Sequence, residues 1–144
     1  MPAQKSPSKK SAAATVKLVN GQVQAGFATW AEEDPSATLD LNIDNYLIEH
    51  REATFLVRVS GDSMIEAGIF PHDILVVDRS LAARHNNIVI AVVDGDLTVK
   101  RLFQKSNGRA ELRAENRHFP SLQFEKATEI IIWGVVTGVI RKLD

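Results

Sequence analysis

The stretch Ile88-Val89-Ile90-Ala91-Val92-Val93-Asp94-Gly95-Asp96-Leu97-Thr98-Val99-Lys100-Arg101-Leu102-Phe103 decides the fold. Two runs rich in β-branched residues flank an Asp-Gly pair, the pattern of two antiparallel strands joined by a tight turn. Working outward, Thr54–Ser60, Asp73–Arg79, Ala110–Ala114 and Glu129–Arg141 are further candidate strands, and β-branched residues crowd all of them but Ala110–Ala114. Turn signals separate these segments: Gly68 with Pro71, and Ser106-Asn107-Gly108. A mainly β domain of antiparallel strands follows. The only helix expected is short, Asn42–His50, with Asn42 as its cap and Ile43, Tyr46 and Leu47 on one face. The run Ile130–Ile140 is long and apolar, and as a bare sheet edge it would invite aggregation. Either a central place in the sheet or a two-fold contact between copies would cover it.

The chain has 144 residues, 44% of them hydrophobic, enough for one core and hardly two. Its organisation reads as a basic, disordered tail at 1–25, an arm at 26–52 and a β domain at 53–144. Residues 1–31 hold Lys5, Lys9, Lys10 and Lys17 and no acid, whereas the whole chain carries −1, so the remainder is net acidic. Four lysines without arginines or aromatics are a weak nucleic-acid signal, and direct DNA binding is not expected. Cysteine is absent, which removes disulfides, thiol nucleophiles and thiolate metal sites and agrees with a reducing cytoplasm. No apolar run reaches the roughly 20 residues that cross a bilayer, and residues 1–20 lack the apolar block of a secretory signal, so no membrane attachment is expected.

The chemistry points to Ser63 and Lys100. Ser63 lies in Ser60-Gly61-Asp62-Ser63-Met64, and Lys100 lies in the second run of the hairpin. A serine hydroxyl attacks a carbonyl only if a neighbour takes its proton. Lysine can do so only when neutral, so its pKa must fall from about 10.4, as burial among apolar groups makes it do. Ile88 to Val93, Val99, Leu102 and Phe103 supply such surroundings. Gly61 and Asp62 suggest a tight turn whose amides point at a developing oxyanion. Upstream, Gln24-Ala25-Gly26-Phe27 offers a bond between two small residues. His50, His72, His85 and His118 have no second ligand at metal spacing and form no histidine-based triad legible in sequence. Asp62 reads as a turn residue, Met64 as packing behind the serine, Phe27 and Trp30 as pins for the arm, and Trp133 as either core or interface.

These residues carry a resemblance. From about Phe27 to Lys142, in order and spacing, the chain resembles the LexA/UmuD family of self-cleaving serine peptidases, and its UmuD branch in particular. The matching stretches are Gln24 to Phe27, Phe55 to Ile65, Gly68-Ile69, Asp73 to Asp78, Ile88 to Gly95, Leu97 to Leu102 and Trp133 to Val136. The resemblance implies a compact β domain of twisted, partly barrel-like antiparallel strands behind a flexible arm. It implies Ser63 as nucleophile, Lys100 as general base, Ala25-Gly26 as the scissile bond and the backbone amides of Asp62 and Ser63 as the oxyanion hole, with no cofactor and no metal. It further implies a homodimer, cleavage stimulated by the RecA filament on single-stranded DNA, and a processed form serving a UmuC-type Y-family polymerase in error-prone translesion synthesis. Two positions depart from the pattern: His72 stands where the family often has glycine, and Asn86-Asn87 replaces a common Gly-Asp. Two other readings compete. A LexA-like or phage repressor would need a DNA-binding domain, and the residues before the β domain show no helix-turn-helix pattern. A non-catalytic module that binds a polymerase would have no use for Ser63, Lys100 and the small-small bond together.

Overall fold

The computed structural model describes residues 14–20, 23, 25, 26 and 37–144, which divide into two compact units, one up to Leu47 and one from Ile48. In the first unit, strand β1 (Thr15–Val19) pairs antiparallel with β2 (Thr38–Asn42), and Asn20 N–H donates to the Ala37 carbonyl at 2.7 Å. Val16 faces Leu41 and Leu18 faces Leu39, which gives the ribbon one apolar side. Lys17 and Asp40 pair on the other. Helix α1 (Ile43–Leu47) follows at once, shorter than the expected Asn42–His50. Asn42 caps it, its Oδ1 accepting the Asn45 amide at 2.9 Å.

The second unit is one seven-stranded antiparallel sheet, in the order β3-β4-β9-β5-β6-β7-β8. Its strands are β3 (Thr54–Arg58), β4 (Ile74–Asp78), β5 (Ile88–Val93), β6 (Asp96–Gln104), β7 (Ala110–Arg113), β8 (Leu122–Phe124) and β9 (Ile131–Ile140). The twisted sheet keeps two edges, β3 and β8, and so does not close into a barrel. The Asp94-Gly95 turn joins β5 to β6 with both residues at positive φ, +51° and +84°, as the hairpin reading requires. Strand β9 lies between β4 and β5, so of the two covers foreseen for the Ile130–Ile140 run the sheet itself supplies one. Register shifts at Val76/Val77 and Ile90/Ala91, both against β9, bend the sheet there.

The apolar run of β5 is continuous because both of its faces are covered. Val89 and Ala91 pack with Leu102, Ala110, Leu112 and Val135 on one side. Their neighbour Ile90 packs with Val59, Met64, Ile69, Leu75 and Val77 on the other. Side chains alternate along a strand, so successive residues feed opposite layers. Trp133 packs half-buried against the second layer, 5.6 Å from the Phe55 ring, with the Arg79 guanidinium 4.5 Å from its own.

Buried charges are paired. Asp73 is 1% exposed and accepts from Arg141 Nε and Nη2 at 2.6 Å each and from the Phe70 amide at 2.8 Å. Arg141 also donates to the Gly68 carbonyl at 2.7 Å, tying the end of β9 to the turn that follows Ser63. Glu111 receives Lys105 at 2.7 Å and Arg113 at 2.6 Å, and these donors pull its pKa down to about 2.

Candidate active site

Ser63 sits on a short turn clamped at both ends. Before it, Val59 is buried, its amide donating to the Asp73 carbonyl at 2.8 Å and its carbonyl accepting from His72 at 2.9 Å. After it, Met64 is 1% exposed and leads into a 3₁₀ turn at Ile65–Ala67, closed by Gly68 at φ +79°. Gly61 at φ +84° reverses the chain between these anchors, a conformation that side chains disfavour. Met64 packs behind the serine, as its place in the sequence suggested.

Lys100 comes from the middle of β6, opposite Val89 on β5, and a paired interior strand is rigid support. Its Nζ lies 3.1 Å from Ser63 Oγ, 3.0 Å from Thr98 Oγ1 and 3.2 Å from the Val99 carbonyl oxygen. Among the described residues no carboxylate pairs with it. Burial, unopposed by any acid, lowers the pKa of the amine. A neutral amine has two N–H donors and one lone pair. Donation to Thr98 Oγ1 and the Val99 carbonyl leaves that lone pair for the Ser63 hydroxyl proton.

Beside the serine runs a cleft of about 110 Å³, lined among others by Val57, Leu75, Ile90, Thr98 and Val99. The amides of Asp62 and Ser63 donate to no acceptor among the described residues. The Asp62 carbonyl, by contrast, is engaged: Asn116 Nδ2 donates to it at 2.9 Å. Asp62 thus meets Asn116 through its backbone. Ala25 and Gly26 are exposed residues of the first unit, and a Cβ at Gly26 would meet nothing within 4 Å among the described residues. Gln24, Phe27 and Trp30 lie outside the described residues.

No histidine joins this group. His50 Nδ1 bonds Asp78 Oδ2 at 2.6 Å, which raises the His50 pKa. His85 Nδ1 accepts from the Gln104 amide. His72 holds φ +74° and Asn86 φ +71°, so both departures from the family pattern keep a glycine-like backbone. Sequence reading missed Thr98 and Asn116. Thr98 carried a signal, two residues from Lys100 on the same strand face; Asn116 is separated from Asp62 by 54 positions and carried none.

Comparison with known proteins matches residues 17–137 to the family described as Peptidase S24-like. The chain belongs to that family. It is a UmuD-like member of it, and membership makes it a peptidase of the self-cleaving kind. It is 43% identical over 125 residues to the protein ImpA of Salmonella typhimurium, covering 87% of this chain and 83% of that one. The protein SamA of the same species is 40% identical over 136 residues, covering 94% of this chain and 92% of SamA. The LexA repressor of Caldicellulosiruptor saccharolyticus is 38% identical over 123 residues, 85% of this chain but 57% of that repressor. Among the described residues no helix of this S24-like chain is long and apolar enough to cross a membrane.

Proposed function

We propose that the chain is a serine endopeptidase with a Ser63–Lys100 dyad that cuts its own Ala25-Gly26 bond. The observation that carries this reading is the contact of 3.1 Å between Lys100 Nζ and Ser63 Oγ beside an amine whose pKa burial lowers. Neutral Lys100 takes the hydroxyl proton as Ser63 Oγ attacks the Ala25 carbonyl carbon. The amides of Asp62 and Ser63 receive the oxyanion. Protonated Lys100 then gives its proton to the Gly26 nitrogen, the peptide bond breaks, and residues 1–25 remain as an ester on Ser63. Water, deprotonated by the neutral amine, hydrolyses the ester and frees the serine. Val57, Leu75 and Ile90 in the cleft lining can receive the methyl group of Ala25, and glycine on the other side of the bond lets the backbone approach closely.

On this reading residues 1–25 are the excised tail, 26–52 an arm and 53–144 the catalytic domain. Presenting the bond from the same chain raises its local concentration, so little sequence recognition is needed. A docked pose of low population keeps the reaction slow until an effector favours it. The resemblance names that effector as the RecA filament on single-stranded DNA. It assigns the processed form, a cytoplasmic homodimer, to a UmuC-type Y-family polymerase as accessory subunit in the SOS response.

Incubating the purified chain at mildly alkaline pH, followed by mass spectrometry, tests the chemistry. Fragments 1–25 and 26–144 are expected from the unaltered chain and from neither Ser63→Ala nor Lys100→Ala. Gly26→Val should fold, because space at Gly26 is open, yet resist cutting. Cutting of Lys100→Ala at the normal rate would remove the lysine from the mechanism, and cutting at another bond would remove Ala25-Gly26.

A further inference from the structure

Two strands of fact meet at Asn116. Its side chain is 5% exposed and uses both ends. Oδ1 accepts the His118 amide at 3.0 Å, which fixes the oxygen's side and leaves Nδ2 to donate to the Asp62 carbonyl at 2.9 Å. The neighbouring Glu115 braces the same turn twice, its carbonyl accepting from the Glu66 amide at 2.8 Å and its amide donating to Met64 Sδ at 3.4 Å.

The Asp62 carbonyl and the Ser63 N–H belong to one planar peptide unit. No cis peptide occurs among the described residues, so the two groups point in opposite directions across that unit. Asn116, with a longer contact from the Ile65 amide at 3.4 Å, holds the carbonyl on one side and so aims the Ser63 N–H the other way, with no acceptor of its own among the described residues. Rotating the unit would need the buried Nδ2 donor to lose its acceptor, and leaving a buried polar group without a partner is unfavourable.

We infer that Asn116 is a positioning residue for the reaction, setting the plane of the Asp62–Ser63 peptide so that the Ser63 amide faces the developing oxyanion. The inference rests on the self-cleavage reading above and adds a residue to it. Asn116 touches neither the scissile bond nor Lys100; it acts through the peptide it holds.

The test is the pH dependence of the self-cleavage rate in the full chain. Removing one oxyanion donor outright costs about 10²–10³-fold in rate, and a donor free to swing away costs some part of that. Asn116→Ala is expected to cut about 10- to 100-fold more slowly. Asn116→Asp keeps the acceptor for His118 but sets an oxygen against the Asp62 carbonyl, and is expected to be slower still. In Asn116→Ala the plateau of the rate–pH curve falls while its midpoint stays, since no charge is added near Lys100. A variant that merely loosens the domain would let water reach Lys100 and move the midpoint upward. If Asn116→Ala fails to fold, the uncharged, near-isosteric Asn116→Leu carries the test. Cutting at the unaltered rate, or a loss in an uncharged variant accompanied by an upward midpoint shift, overturns the role of Asn116 alone. Failure of the unaltered chain to cut overturns the parent reading and this inference with it.

Discussion

Replacing Thr98 by aspartate places a carboxylate where a hydroxyl now stands 3.0 Å from Lys100 Nζ. Opposite charges about 4 Å apart at an effective dielectric of about 20 attract by roughly 4 kcal/mol. At about 1.4 kcal/mol per pKa unit, that would raise the amine's pKa by roughly 3 units. The site is half open to water, so screening reduces the figure to about 1–2 units. The sign is definite: a neighbouring anion favours the ammonium form, which cannot accept the Ser63 proton. The midpoint of the rate–pH curve for self-cleavage should move up by about 1–2 units in Thr98→Asp. Below both midpoints the rate should fall about 10- to 100-fold, and at high pH the two curves should converge. Thr98→Asn has nearly the same shape without the charge and separates electrostatics from lost contacts in the cleft. Its midpoint should stay within about half a unit of the unaltered chain. Gel or mass-spectrometric time courses at a series of pH values give both curves. If Thr98→Asp and Thr98→Asn superimpose, protonation of Lys100 does not control the reaction and the proposed base is wrong.

Three further outcomes test the surrounding structure. His72 at φ +74° pays for a left-handed backbone, so His72→Val should lose about 1–2 kcal/mol in urea unfolding, whereas His72→Gly should hold or gain slightly. A Cβ at Gly134 would lie 2.5 Å from Val77 Cγ1 and 3.4 Å from the Asp78 carbonyl, so Gly134→Ala should cost about 1–3 kcal/mol by forcing β9 off β4. Glu111 has its folded pKa lowered to about 2 by Lys105 and Arg113, so its contribution is complete above its ordinary value of 4.5 and lost as pH falls toward 2. Unfolding free energies measured from pH 6 down to 2.5 should therefore fall less steeply in Glu111→Gln than in the unaltered chain.

Sequence reading went furthest where local patterns and burial agree. The β5–β6 hairpin was legible because Asp94-Gly95 supplies the turn, the first run is apolar throughout and the second alternates Leu97 and Val99 with Thr98 and Lys100. The long run of β9 was legible as a strand, but its central place depends on pairing with β4 and β5, which nothing local specifies. Strands β1 and β2 went unread: their residues are mostly exposed, and their pairing joins positions on either side of a long connection. Strand β8 has three residues and too little pattern to see. Helix α1 was placed correctly at its start, where Asn42 provides a chemical signal, and read too long at its end, where no such signal stands. At the site, Ser63 and Lys100 were legible through their neighbours. The absence, among the described residues, of any acid paired with Lys100 and the grip of Asn116 on Asp62 are facts of tertiary packing.

Self-cleavage by the Ser63–Lys100 pair requires one amine to hold a depressed pKa. A titration of the Lys100 ¹³Cε resonance by NMR in the Ser63→Ala chain, which stays whole throughout, measures it directly. An inflection well below 10.5, near the midpoint of the self-cleavage curve, is the predicted result. Titration of Lys100 together with the exposed lysines, near their ordinary value, would contradict it.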